Sequence, residues 1–244
     1  MSFISFKKWI NEIDANLYQA DMYKETHDAW EELYDEGVTV LFPGGFKPST
    51  AGHIDLIRRY SEHPFVKEVK VLIGPGIRNG IDQSLALKIA EELLSSFDNV
   101  SIEAVKYPSP ILTAYKYIET AEPGNYAMAA AKKGKDDKDY KRVIDFTKSL
   151  NPGGKYYNSK PEDVKVLELP VDAKTLNYSD RTDEKNGEPI SASTLRQDIL
   201  NDDFYNFETN YPGYSEYTTR ELWKMLKPVV VEGLEEEYNE ELYD

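Results

Sequence analysis

Apolar residues along this chain alternate between two periods, and each change of period marks a new element. Phe6, Ile10, Ile13 and Leu17 recur at spacings of three and four, which predicts a helix over residues 5–36 with one apolar face. Gly37 follows, where a glycine commonly closes a helix. Val38-Thr39-Val40-Leu41-Phe42 is a short β-branched and apolar run, the signature of a strand buried on both faces. After a glycine-rich turn, Ile54, Leu56 and Ile57 open a helix that ends near His63-Pro64. A second strand is predicted over 68–74. An amphipathic helix carrying Leu85, Ile89, Leu93 and Leu94 follows over 83–97, then a third strand over 100–105. Further on, the pattern predicts a short helix over 108–120, a strand over 126–131 weakened by its alanines, a helix over 139–149 and a strand over 164–169. Residues 151–161 and 178–189 are polar and turn-rich, and read as loops.

Strands that alternate with helices at this spacing predict βαβ units on a parallel sheet. The expected fold is therefore α/β, a Rossmann-like doubly wound parallel sheet with an N-terminal helical addition and a C-terminal helical and acidic extension. The expected organisation is an N-terminal helical addition over 1–36, a catalytic α/β domain over 37–202, and a C-terminal extension with an acidic tail over 203–244.

Composition narrows the function classes. The 244-residue chain has 29 Lys and Arg against 44 Asp and Glu, a formal charge of -15. Such a chain repels nucleic-acid phosphates at long range, so no nucleic-acid partner is expected. There is no cysteine, which excludes disulfides and thiolate metal sites. No apolar run is long enough to span a bilayer and no signal-peptide core is present, so a cytoplasmic protein with no membrane partner is expected. Assembly into identical copies is compatible with all of this. From Glu232 to Asp244 there are seven acidic residues and no basic ones, which reads as a solvated tail.

The first cluster of candidate chemistry is Gly44-Gly45-Phe46-Lys47-Pro48-Ser49-Thr50-Ala51-Gly52-His53, between the first strand and its helix. In an open parallel sheet ligands bind at this junction. Gly44 and Gly45 let backbone approach a ligand closely, and Gly52 and His53 stand at the start of the next helix. The helix N-terminus favours an anion, and Thr50 and His53 supply donors beside it. The second cluster is Ile190-Ser191-Ala192-Ser193-Thr194-Leu195-Arg196. Ser191 is a plausible helix N-cap; the hydroxyls of Ser193 and Thr194 and the guanidinium of Arg196 could surround a polyphosphate.

The first cluster resembles the G-x-F-x-P-x-[H/T]-x-G-H signature of the nucleotidylyltransferase superfamily. Phe46, Pro48, Gly52 and His53 occupy its fixed places, Thr50 takes the first histidine place, and Lys47 departs from the common aspartate or glutamine. The second cluster resembles that superfamily's I-S-S-T-x-x-R motif, which holds the β- and γ-phosphates. Ser191, Ser193 and Arg196 fall on its places and Ala192 replaces a serine. The resemblance covers residues 38–200. It implies transfer of a nucleoside monophosphate from ATP or CTP to a small phosphorylated acceptor, with release of pyrophosphate and a Mg²⁺ ion carried by the triphosphate rather than by a protein cage. The first acceptor it implies is nicotinamide mononucleotide. The alternatives are cytidylyl transfer to a phosphorylated polyol such as glycerol phosphate, then phosphopantetheine. From another class, a binding or structural protein that keeps the fold without the activity remains open.

The resemblance assigns catalysis to Thr50, His53 and Arg196, and nucleotide binding to Gly45, Phe46, Lys47, Gly52, Ser191, Ser193 and Thr194. Arg78, Lys88 and Ser109 are weaker candidates for substrate contacts. Arg78 lies in a glycine-rich loop that could cover the site, and the charged run 132–139 could reach the base pocket. Tyr156-Tyr157 and the tyrosines of 211–217 could stack on bases, although such residues more often leave their hydroxyls in water. His27 and His63 fit no metal spacing.

Overall fold

The computed structural model of the chain describes residues 36–129, 131–132, 138–169, 171–172 and 191–240. The N-terminal helix expected over 5–36, most of the charged run 132–139, the loop 178–189, Ile190 and the last four residues lie outside them. In chain order the elements are β1 (Val38–Gly44), α1 (Ala51–Ser61), β2 (Val66–Ile73), α2 (Gln83–Leu94), β3 (Val100–Ala104), α3 (Pro110–Glu119), β4 (Gly124–Met128), β5 (Ala131–Lys132), α4 (Lys138–Leu150), β6 (Val164–Leu167), β7 (Val171–Asp172), α5 (Ala192–Leu200), α6 (Phe204–Thr209) and α7 (Glu216–Glu240).

The apolar run of β1 forms a central strand because both of its edges are paired and both of its faces are covered. It pairs in parallel with β2 and with β4; β2 in turn pairs with β3, and β4 with β6. The resulting order, β3-β2-β1-β4-β6, is an open parallel sheet that reverses direction at β1. Side chains alternate across it. Val38, Val40, Val69, Val71 and Ile73 enter one apolar cluster with Ile54 and Ile57 of α1, Ile89 and Leu93 of α2, and Leu195 and Ile199 of α5. Leu41, Leu72, Tyr126, Met128, Val164 and Val166 enter the other with Ile118 of α3 and Phe146 and Leu150 of α4. Two helical layers on one parallel sheet make this an α/β Rossmann-like fold.

The element boundaries differ from the sequence expectation in a few places. The strand expected over 126–131 ends at Met128, and Ala131–Lys132 pairs instead with Val171–Asp172. Alanines at 129–131 bring little β preference to hold the longer strand together. The largest addition is C-terminal: Phe207, Tyr211, Leu222, Leu226 and Val230 sit in the same apolar cluster as the sheet. The helices α6 and α7 thus complete the core on the side of α1, α2 and α5. Among the described residues no helix is long and apolar enough to cross a membrane.

Candidate active site

In an open parallel sheet the strand at which the order reverses leaves a crevice at its carboxyl end. Here that strand is β1, and it ends at Gly44, with β2 on one side and β4 on the other. The loop that follows makes a sharp path. Phe46 has a positive φ of 52°, and its buried ring folds back beneath Gly44. A Cβ at Gly44 would lie 2.8 Å from Phe46 Cε2, so that ring requires the first glycine. The same ring meets His53 edge-on, with centroids 5.1 Å apart and planes at 72°, and Phe42 packs edge-on against Phe46 at 5.3 Å. Phe46 therefore supports the imidazole from below.

Thr50 is the N-cap of α1 and His53 its third residue, and together they form a capping box. The Thr50 backbone N–H donates to His53 Nδ1 at 3.1 Å, and the His53 backbone N–H donates to Thr50 Oγ1 at 3.4 Å. The Thr50 hydroxyl also lies 3.0 Å from Nδ1. A ring nitrogen that accepts from a main-chain N–H carries no proton, so the hydrogen-bond pattern assigns the proton of the neutral ring to Nε2. The imidazole is thereby fixed as a donor through Nε2, at a helix N-terminus whose first-turn N–H groups also favour an anion.

Gly45 is exposed, and a Cβ built on it meets nothing within 4 Å. At Gly52 an added Cβ meets only Thr50 Oγ1, at 3.7 Å, an ordinary contact. The protein's own packing therefore does not demand glycine at position 52. If a phosphate needs that space, Gly52→Ala keeps or raises the thermal midpoint, since alanine in a helix gains about 0.4–1 kcal/mol over glycine. The same change lowers triphosphate affinity about tenfold or more in calorimetry. An alanine variant that binds as wild type removes Gly52 from the site.

Arg196 draws the second motif onto the first. It is buried, 7% exposed. Its Nη1 donates to the carbonyl of Lys47 at 2.7 Å across a separation of 149 residues, and its Nη2 donates to Ser193 Oγ at 3.0 Å. Ser191 caps α5 in a second capping box with Thr194: the Thr194 N–H reaches Ser191 Oγ at 3.2 Å and the Ser191 N–H reaches Thr194 Oγ1 at 3.4 Å. Both motifs thus end in a capped helix N-terminus, and one guanidinium ties them together.

Lys47 reaches into the loop after β2. Its ammonium donates to the carbonyls of Gly74 at 3.2 Å, Pro75 at 3.1 Å and Gly76 at 2.6 Å, in the loop after β2. Burial pushes its pKa below the usual lysine value, and the nearby Asp82 carboxylate opposes that. Arg78 is exposed in the same loop, in a tight turn closed by N–H to carbonyl bonds between Arg78 and Ile81. That loop is tied down at both ends: Lys47 holds its start, and Gly80 sits so close to Val229 of α7 that a Cβ would come within 1.9 Å of the Val229 carbonyl. Lys88 is exposed on α2. Ser109 caps α3, accepting from the Leu112 N–H at 3.4 Å.

Two sets of contacts in this region carry no readable signal in sequence. Tyr211 is buried, and its hydroxyl donates to the Ser49 carbonyl at 2.8 Å, one residue before the α1 cap. Its hydroxyl is thus not in water, contrary to the usual habit of tyrosine, and burial raises its pKa far above the normal value. Gln83 spans the ends of two strands, donating to Ile73 O at 2.7 Å and Val105 O at 2.8 Å. Tyr211→Phe should keep the ring in the core and leave the Ser49 carbonyl unpaired, costing about 1–3 kcal/mol in a denaturant melt. A melt identical to wild type would show that this hydrogen bond holds nothing.

No protein-family model matches the chain, and no curated protein matches it. Among solved structures the chain is similar to a bifunctional NMN adenylyltransferase/ADP-ribose pyrophosphatase of Francisella tularensis, crystallised with AMP and a manganese ion. The identity is 18% and the TM-score 0.45, over 85% of this chain and 56% of the other; this chain spans little more than half of that structure's length. The fold assignment rests on the strand order and layers of the chain itself.

Proposed function

We propose that the chain is a nucleotidyltransferase that moves a nucleoside monophosphate from a nucleoside triphosphate to a small phosphorylated acceptor. The observation that carries this reading is the bond from Arg196 to the Lys47 carbonyl, which joins two motifs that each end in a capped helix N-terminus. In the proposed reaction a phosphate oxygen of the acceptor attacks the α-phosphorus, the bond to the bridging oxygen of the β-phosphate breaks, and pyrophosphate leaves with that oxygen. His53 donates from Nε2 to an α-phosphate oxygen as charge develops, with Thr50 orienting the ring. Arg196, with the hydroxyls of Ser191, Ser193 and Thr194, holds the departing phosphates. An acceptor phosphate is already anionic, so no general base is needed.

Among the described residues no group of three or more His, Cys, Asp or Glu side chains could hold a metal. The donors that gather here are N–H and hydroxyl groups, which suit an anion. A Mg²⁺ bound by the triphosphate and water fits this set, and would supply charge neutralisation.

Adenylyl transfer to nicotinamide mononucleotide is the first assignment and cytidylyl transfer to glycerol phosphate the second; the first motif's resemblance extends to both. A pyrophosphate-release screen of ATP, CTP, GTP and UTP against nicotinamide mononucleotide, glycerol phosphate and phosphopantetheine tests both. Release with ATP and nicotinamide mononucleotide alone supports the first. Triphosphate binding in calorimetry without turnover on any acceptor would favour a non-catalytic binding protein.

A further inference from the structure

We infer that Lys47 is a positioning residue that sets both sides of the site at once, its ammonium clasping the loop after β2 while its carbonyl holds Arg196. This rests on the nucleotidyltransferase reading and deepens it, by assigning to the loop after β2 the side of the site opposite Arg196.

An ammonium has three N–H donors and no acceptor. At Lys47 all three meet carbonyls, from three consecutive residues, and the residue is only 8% exposed. The cluster sits where neighbouring loops converge. The Gly74 N–H donates to the Gly44 carbonyl at 2.9 Å, and the carbonyl of Tyr107, in the loop after β3, is 3.6 Å from where a Gly74 Cβ would stand. Clasping Gly74–Gly76 therefore fixes a segment that touches the end of β1 and the loop after β3 together. On its other side Lys47 offers Arg196 a backbone carbonyl, which no side-chain change at position 47 removes. The two roles separate cleanly: the side chain governs the loop after β2, and the main chain governs the guanidinium.

This separation makes the inference testable with Lys47→Met, which keeps the length and apolar stem but has no donor. Lys47→Arg restores a charge, but a planar fork with five donors does not match three carbonyls converging on one point. Three quantities are measured: affinity for a non-hydrolysable triphosphate analogue with Mg²⁺ by calorimetry, amide hydrogen exchange over residues 74–82, and kcat and KM for the acceptor. For both variants we expect triphosphate affinity within about threefold of wild type, exchange over 74–82 at least about tenfold faster, and acceptor KM raised by about tenfold. Triphosphate affinity lost by about tenfold or more with exchange unchanged would mean that the ammonium serves the phosphates, and would overturn the inference. Variants identical to wild type in all three measurements would also overturn it. Where the variants do not fold, a crystal structure of the wild-type chain with the analogue decides. Nζ still on the Gly74–Gly76 carbonyls supports the inference, and Nζ on a phosphate oxygen ends it. Failure of the nucleotidyltransferase reading itself shows separately, as wild-type chain that neither binds the analogue nor turns over, while the exchange measurement still reports on the clasp.

Discussion

Replacing Arg196 with methionine or lysine should lower kcat/KM for the triphosphate by about 10²–10³-fold, the effect of removing one preorganised donor from a charge-stabilising site. The guanidinium serves two partners at once, the Lys47 carbonyl and the Ser193 hydroxyl. Methionine removes the charge and strands a buried carbonyl, so a stability loss of about 1–3 kcal/mol should accompany the kinetic one. Lysine keeps the charge without the fork and should recover little of either. The informative comparison is therefore between the two losses. Were Arg196→Met to melt early yet turn over at the wild-type rate per folded molecule, the arginine would be a strut between two loops and no phosphate ligand.

A larger separation of stability from chemistry is expected at His53. His53→Ala removes both the proposed α-phosphate donor and one half of the capping box. Its expected cost is about 3–4 kcal/mol of transition-state stabilisation and about 1 kcal/mol of folding stability. His53→Gln is the sharper variant. Glutamine is a natural third residue of a capping box and can still accept from the Thr50 N–H, so the fold should keep its stability. It does not reproduce an imidazole held edge-on between Phe46 and Phe42 with its proton on Nε2. A melt unchanged from wild type together with pyrophosphate release reduced by about 10²-fold or more is the predicted outcome. Full activity in the glutamine variant would reduce His53 to a helix cap.

These expectations depend on features that were unevenly legible in the sequence. The β-branched and apolar run at Val38–Leu41 announced a central strand, because a strand covered on both faces has no polar alternation to hide it. Both capping boxes were also local events: Thr50 with His53 and Ser191 with Thr194 are three residues apart, and sequence reading found both segments. What it could not find was pairing at long range. The three carbonyls that take the Lys47 ammonium lie 27 to 29 residues away, and the Ser49 carbonyl that takes Tyr211 is 162 residues away. A backbone carbonyl is present at every position, so nothing in the sequence marks which ones a side chain will choose. That is why the contacts of the Lys47 ammonium and of the Tyr211 hydroxyl are not legible in sequence. The C-terminal helices are expected from the sequence, but their place in the core is not. Leu222, Leu226 and Val230 recur every four residues and all are buried, but the charge of the residues beyond them dominated the composition of that end. The packing of the Phe46 ring against Gly44 and His53 is equally silent in sequence, where the residue is simply part of a glycine-rich motif.

The account stands on one physical statement, that residues near 50 and near 196 share a single polyanion. Calorimetric titration of non-hydrolysable analogues of the four common triphosphates, with Mg²⁺ present, into the wild-type chain, the His53→Gln variant and the Arg196→Met variant addresses it directly. The predicted result is one equivalent of ATP or CTP analogue bound by the wild type, with affinity reduced by about tenfold or more in each variant. Wild-type chain that binds none of the four, or that binds one with an affinity neither substitution alters, would contradict it.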